Sequence, residues 1–176
     1  IPVMKRYIPL LALLLASLLY PQDKMDINNL IERDSLLYAP NDNKPYTGSV
    51  FSFYENGKEE LNGRFRNGLK NGKWKWWNED GVIDRTGSYK NGLMNGNWTY
   101  YHANGQVYGQ GRFINGDGGN PSESSGIPFN GRRGSWTFWH ENGQKSSEGT
   151  YKNVKLDVIV KDVVYLGVSF EPVAVT

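Results

Sequence analysis

The chain is 176 residues long, with 20 Lys and Arg against 18 Asp and Glu, and it contains no cysteine. That composition excludes disulfides, thiolate metal sites and lipid attached through cysteine. Taking away Lys5 and Arg6 with a leader leaves 18 charges of each sign, and residues 48–153 carry 13 positive against 10 negative. The basic surplus usual in binders of nucleic acid or anionic membranes is missing, so neither partner is expected.

Ile1, Pro2 and Val3 stand before Met4 and read as lying upstream of the start. Lys5 and Arg6 lead into an apolar run at 8–19, followed by Tyr20, Pro21 and Gln22, which is the pattern of a secretory signal over residues 1–22. The run is shorter than the roughly 20 apolar residues of a spanning helix. The expectation is a cleaved leader, a mature start near Asp23, export to the periplasm, cell surface or medium of a bacterium, and no membrane association afterwards.

Residues 23–47 form a polar preamble with two apolar touches, Leu30-Ile31 and Leu36-Leu37-Tyr38. The second reads as a first strand closed off by Pro40 and Pro45. Repeat proteins need an atypical end unit to cover a terminal apolar face, and this segment is expected to cap the glycine-rich part of the chain that begins at Gly48.

From Gly48 the chain keeps a ruler. Gly48, Gly72 and Gly96 are 24 residues apart, and Gly134 follows 38 residues later; Gly57, Gly81, Gly105 and Gly143 keep the same steps, as do Gly63, Gly87, Gly111 and Gly149. Three rulers in one phase mark a repeat array, in which one small unit recurs and neighbours bury its apolar face by stacking. Four repeats are expected, at 48–71, 72–95, 96–133 and 134–153. Within each, a β-prone run meets Asn56-Gly57, Asp80-Gly81, Asn104-Gly105 or Asn142-Gly143, dipeptides that accept positive φ and suit turns between antiparallel strands. A second turn, such as Asn67-Gly68 or Asn91-Gly92, returns the chain to the next unit. The fold expected is all-β, an elongated single-layer antiparallel meander of hairpin repeats with a 24-residue period.

Aromatic residues fall in columns. Trp74 aligns with Trp98 and Trp136, Trp77 with Phe53, Tyr101 and Trp139, and Tyr89 with Phe65, Phe113 and Tyr151. Equivalent rings in a meander lie two strands, about 9–10 Å, apart, and cross-strand aromatic neighbours add about 0.2–1 kcal/mol per pair; all three columns are expected in the core. Strand neighbours point to opposite faces, so one of Trp76 and Trp77 must leave the face that holds the other. Trp76, Trp77, Tyr100, Tyr101, Phe138 and Trp139 are therefore the candidate binding surface.

The third repeat carries a 14-residue insertion between Asn115-Gly116 and Asn130-Gly131, with GDGGNPSESSG at its centre. Gly, Ser and Pro bury no apolar area, so residues 117–130 read as a mobile loop. Asn115, Asp117, Asn120 and Glu123 do not have the spacing of a calcium loop. His102 and His140 share a column with Tyr54 and Asn78 and read as polar surface. Past residue 153 the rulers decay, with Val158 where glycine is due, so 154–176 reads as a degenerate fifth repeat or C-terminal cap. No nucleophile elbow, phosphate loop, paired-histidine metal motif or dinucleotide fingerprint appears, and no catalytic residue, metal or cofactor is expected.

The pattern G-x-W-x-x-Y-x-x-N-G followed by G-x-Y-x-N-G-x-x-x-G, over residues 48–153, resembles the bacterial variant of the MORN repeat, the version common among antitoxin components of toxin and antitoxin systems. Pro45-Tyr46-Thr47-Gly48 is similar to the lead-in of such arrays. The resemblance implies a β-meander used for interaction and brings no catalytic residues with it. The expected function is a non-catalytic, exported module that binds a protein partner. The alternatives are an antitoxin-like role and a glycan-binding surface. One sheet with one apolar face is marginal alone, so a homodimer through the aromatic face is also expected.

Overall fold

The computed structural model describes residues 24–152; the expected leader at 1–22 and the expected cap at 154–176 lie outside them. The described chain is almost entirely strand: β1 (Met25–Asp26), β2 (Ile31–Arg33), β3 (Leu36–Tyr38), β4 (Gly48–Phe53), β5 (Glu59–Arg66), β6 (Leu69–Lys70), β7 (Gly72–Trp77), β8 (Ile83–Lys90), β9 (Leu93–Tyr101), β10 (Val107–Gly116), β11 (Arg132–Trp139) and β12 (Lys145–Tyr151). One turn of 3-10 helix, Ile27–Asn29, follows β1 and is capped by the Asp26 carboxylate, which accepts from the Asn28 N–H. The main sheet runs β1, β4, β5, β7, β8, β9, β10, β11, β12, with β6 beside β5. From β4 onward every pairing is antiparallel, as the meander requires. β1 departs from that pattern, joining β4 in parallel with Met25 opposite Val50.

Two kinds of turn set the period. Asn67-Gly68 and Asn91-Gly92 have positive φ at both residues, the backbone of the two-residue turns whose twist matches that of the strands they join. At the other end of each hairpin only the glycine is left-handed, at φ near 80° in Gly57, Gly81, Gly105 and Gly143. There the glycine N–H closes a turn onto the carbonyl three residues back, as Gly57 does onto Tyr54 at 2.9 Å, and a bulge follows in the ladder. Neighbouring turns are tied together. Asn56 donates to the Glu79 carbonyl and Asn104 to that of Glu141, both at 2.9 Å.

The core lies on one face. Trp74, Trp98 and Trp136 are 2%, 1% and 0% exposed. Each indole lies flat over a glycine of the preceding repeat: Trp74 over Gly63, Trp98 over Gly87, Trp136 over Gly111. Each indole N–H donates to the carbonyl just past that glycine, at Arg64, Ser88 and Arg112, over 3.1–3.2 Å. The column of Phe65, Tyr89, Phe113 and Tyr151 meets these rings edge-on. Phe65 sits 5.3 Å from Trp74, Tyr89 5.2 Å from Trp98, and Phe113 5.0 Å from Trp136, the geometry aromatic quadrupoles prefer.

A further column covers this stack. Tyr46, Lys70, Met94 and Arg132 keep the steps of 24, 24 and 38. Tyr46 meets Phe65 edge-on at 6.5 Å, Lys70 Nζ lies 5.0 Å over Trp74 and 5.2 Å over Tyr89, and the Arg132 guanidinium lies 4.8 Å over Trp136. Met94 is buried in the same core. Long side chains of different chemistry thus do one job, keeping water off the rings. Among the described residues, this column covers the stack within one chain.

Three expectations need correction. The column of Phe53, Trp77, Tyr101 and Trp139 is not core: Phe53 is 54% exposed, the other three are half-buried, and alternation puts all four on the opposite, outer face. Conversely, Trp76 is 8% exposed and stacked between Trp74 and Trp98, at 5.6 and 5.8 Å, because residues two apart share a face. Finally, the insertion does bury apolar area. Ile127 is 1% exposed, with its Cδ1 against Gly109. Leu61, Arg85 and Gly109 are equivalent by the ruler, and Ile127 fills the space that the glycine leaves between Tyr100 and Phe138, which flank it in the ladder. The loop's base is pinched where Gly131 packs directly on Gly116, which accounts for the duplicated Asn-Gly.

The preamble lies against the first repeat. Leu36–Tyr38 pairs with β2 in a separate two-stranded sheet instead of joining the main one. It reaches the main sheet through the first turn, where the Leu37 N–H donates to the Gly68 carbonyl at 3.1 Å and the Gly68 N–H to that of Tyr46 at 2.8 Å.

Candidate binding surface

The outer face is built from the residues that alternate with the core. One ladder row crosses the sheet as Phe51, Asn62, Lys75, Thr86, Thr99, Gln110, Thr137 and Glu148, each opposite the next. It is nearly all hydroxyl, amide or charge. On one side of this row runs the aromatic column, each ring just beyond a bulge: Phe53 opposite Glu59, Trp77 opposite Ile83, Tyr101 opposite Val107, Trp139 opposite Lys145. Phe51 and Phe53 touch at 5.3 Å, and Lys75 Nζ lies 4.7 Å over the Trp77 ring. Of the six sequence candidates, Trp77, Tyr101 and Trp139 therefore share this face. Trp76, Tyr100 and Phe138 belong to the core face.

On the other side of the polar row lies positive charge that whole-chain bookkeeping hides. Arg64, Arg66, Lys73, Arg112 and Arg133 are exposed there, with Arg64 opposite Ser49, Lys73 opposite Ser88, and Arg112 opposite both Asn97 and Arg133. Among the strand residues of this face the carboxylates are Glu59, which accepts from Asn62 at 2.9 Å, Glu148, held by Lys145 at 2.8 Å, and Asp26 opposite Phe51, which accepts from the Asn28 N–H at 2.9 Å. The array's acids sit mostly in turns and at the bulges of the core face, so a near-neutral chain presents a basic face.

The core face offers a cleft instead. It has a volume of about 320 Å³ and opens beside the insertion, lined by Asp84, Arg85, Tyr100, Tyr101, Tyr108 and Ile127 among others. Arg85 is fixed twice, by Asp84 at 2.7 Å and by lying 4.7 Å over Trp76. Burial pushes the Tyr100 hydroxyl far above its ordinary range, so it stays a neutral donor. These groups can hydrogen-bond a guest, and none is paired as nucleophile and base. His102 is not plain polar surface: its Nε2 lies 2.9 Å from the Trp139 carbonyl and its ring 4.9 Å from Tyr108, so it stitches two repeats. His140 is exposed.

Residues 70–91, 94–115 and 132–153 match the model of the MORN repeat variant. These three units are MORN-variant repeats. The match covers the three units that hold a tryptophan over a glycine. The first hairpin, β4 and β5, lies outside the match; Val50 and Ser52 stand there in the places of Trp74 and Trp76. A MORN array is in general a repeat-based binding module. No curated protein matches the chain. Among solved structures it is similar to one described as "Crystal structure of GtfA/B complex bound to UDP and GlcNAc", at 10% identity over 75% of this chain and a TM-score of 0.25. The chain spans 24% of that protein's length, and a TM-score this low relates neither fold nor function.

Proposed function

We propose that the protein is a non-catalytic binding module that works through the outer face of its MORN array, holding a partner against the column of Phe53, Trp77, Tyr101 and Trp139. The observation that carries this reading is the division of the aromatic residues. The core columns are sealed under Tyr46, Lys70, Met94 and Arg132, while the fourth column stays accessible beside a band of unlike, basic chemistry. Aromatic rings with Arg nearby are the residues that contribute most at binding surfaces.

A protein partner is the general reading for such an array. A glycan is the second, favoured by the even spacing of the outer rings. Export belongs to the same proposal and rests on Lys5, Arg6 and the apolar run at 8–19. The test immobilises the protein against an envelope fraction of its host. A component retained by the wild type and by a turn-tip control, Glu55→Ala, is expected to be lost from Trp77→Ala with Trp139→Ala. Retention indifferent to the outer face, or substrate turnover abolished by a single side-chain change, overturns the reading.

A further inference from the structure

Resting on that reading, we infer that the outer face binds an acidic polysaccharide: a chain of carboxylate-bearing sugar rings lying across the strands, ring faces on the aromatic column, carboxylates toward the basic band.

Three features of the face converge on that ligand. The first is periodicity. Rings of successive repeats stand two strands apart, about 9–10 Å at ordinary strand spacing, and no ring contact joins Phe53, Trp77, Tyr101 and Trp139 to one another among the described residues. A column of separate platforms at a constant step suits a polymer that presents a flat apolar face at a constant step. An extended β-linked polysaccharide does so once per disaccharide, a length close to the repeat of the column. A folded protein surface without internal repeats has no such period.

The second is the row beside the column. Asn62, Thr86, Thr99, Gln110 and Thr137 line up across successive strands, offering donors and acceptors about every 4.8 Å. That density of hydroxyl and amide groups matches a ligand that carries hydroxyls on every ring.

The third is charge. Lys75 is two residues from Trp77 and Lys73 four, or about 7 and 13 Å along a strand, within reach of a long side chain. Arg64 and Arg112 repeat that placement on neighbouring strands. A neutral glycan would leave this band unused; where carboxylates alternate in side along the polymer, every second one faces it. Complementary charge of this kind chiefly raises association rate and selectivity, and is screened by salt.

The test uses polymannuronate oligosaccharides as probe, with cello-oligosaccharides of equal length as the uncharged comparison, polyphosphate as a polyanion without rings, and oligo(dT) as one whose stacking groups are bases. Titration calorimetry on the full chain is expected to show saturable binding of polymannuronate, weaker binding of the neutral chain, and loss with rising salt. Trp77→Ala and Trp139→Ala are each expected to weaken it by about tenfold, the size of one good ring contact, and Lys73→Glu with Arg112→Glu to abolish it, circular dichroism remaining unchanged. These side chains lie outside the core, so the variants keep the fold. Absence of polymannuronate binding overturns the inference, as does equal binding of the neutral chain. Equal binding of polyphosphate or oligo(dT) that ignores the tryptophans overturns it in favour of a mere polyanion patch. If polymannuronate fails while the envelope component is still lost from the outer-face variant, the glycan is wrong and the binding surface stands; if both fail, the surface itself is wrong.

Discussion

Trp136 lies so close over Gly111 that a methyl group on that glycine would come within 2.1 Å of the indole. The same relation joins Trp98 to Gly87 and Trp74 to Gly63. Gly149, the next glycine on the ruler, has nothing within 4 Å among the described residues. One substitution therefore has opposite outcomes along a single column. Gly87→Ala and Gly111→Ala force a buried ring off its seat and away from its carbonyl acceptor, and overpacking of this kind costs about 1–3 kcal/mol or more. Gly149→Ala meets none of the described residues and has an ordinary φ, so it is expected to be neutral or slightly stabilising, since alanine gives up less backbone entropy. Urea midpoints of the three variants check this. Equal effects would mean that the seat is not what the repeat glycine is for.

Lys70 and Arg132 hold one repeat position and differ in what they satisfy. Arg132 is 2% exposed and donates to the carbonyls of Pro128 and Ile127 and to the Tyr151 hydroxyl, all at 2.8 Å. Arg132→Met keeps the cover but takes this donor from the Pro128 carbonyl, at about 1–3 kcal/mol, while the Ile127 carbonyl still accepts from the Ser122 N–H at 3.0 Å. Lys70 has its ammonium over rings, and burial, then Arg85, lowers its pKa. A base with a lowered folded pKa destabilises while protonated, and the penalty fades as pH rises from the folded toward the unfolded value. Lys70→Met is thus expected to be neutral or stabilising at pH 7, with its advantage shrinking in alkaline solution. Chemical denaturation of both variants at pH 7, and of Lys70→Met up to pH 10.5, separates the two roles.

Much of this is legible in the chain because glycine and aromatic identity repeat. Spacing alone places Trp74, Trp98 and Trp136 in the core, and Asn-Gly and Asp-Gly place the hairpin turns. The covering column escapes because what repeats in Tyr46, Lys70, Met94 and Arg132 is length, not chemistry. Alternation says that Trp76 and Trp77 part company but not which face closes; the glycines at 63, 87 and 111 hold that information, since a flat ring needs a bare backbone beneath it. The basic outer face is invisible to net charge because the balancing acids sit in turns and bulges. Ile127 is hidden because a loop with a polar centre gives no sign that its flank is buried.

The insertion is a structural part of the third repeat, and its worth can be measured against the glycine it covers. Ile127→Ala opens a cavity over Gly109 and is expected to cost about 2–5 kcal/mol. Deleting 117–130 restores the spacing of the sister repeats and uncovers Tyr100 and Phe138, so it should also destabilise. Gly109→Leu, the residue that Leu61 supplies two repeats earlier, reverses sign with context. In the full chain its Cβ meets Phe138 and Ile127 at 3.0–3.1 Å and harms; in the deletion it fills the vacated space and restores stability. A double-mutant cycle reads the coupling directly, and additive effects would show that the loop is not a plug.

The base of the same loop carries an acid-sensitive clasp. Asp117 accepts from the Asn130 side chain at 2.9 Å and from the Gly119 N–H at 2.7 Å, and these bonds, Asn130 first, hold its carboxyl below the usual aspartate range. A carboxylate with a lowered folded pKa contributes stability that is full above its unfolded value, about 3.9, and is lost as pH falls through the folded value. Carbonyl-carbon NMR should therefore find Asp117 titrating below the exposed aspartates. Asn130→Ala should move that titration upward toward theirs, and amide exchange at Gly119 should quicken in acid first in the wild type and at all pH in the variant. An Asp117 that titrates normally in the wild type would show that the clasp is open in solution, leaving the Gly116 and Gly131 contact to hold the loop alone.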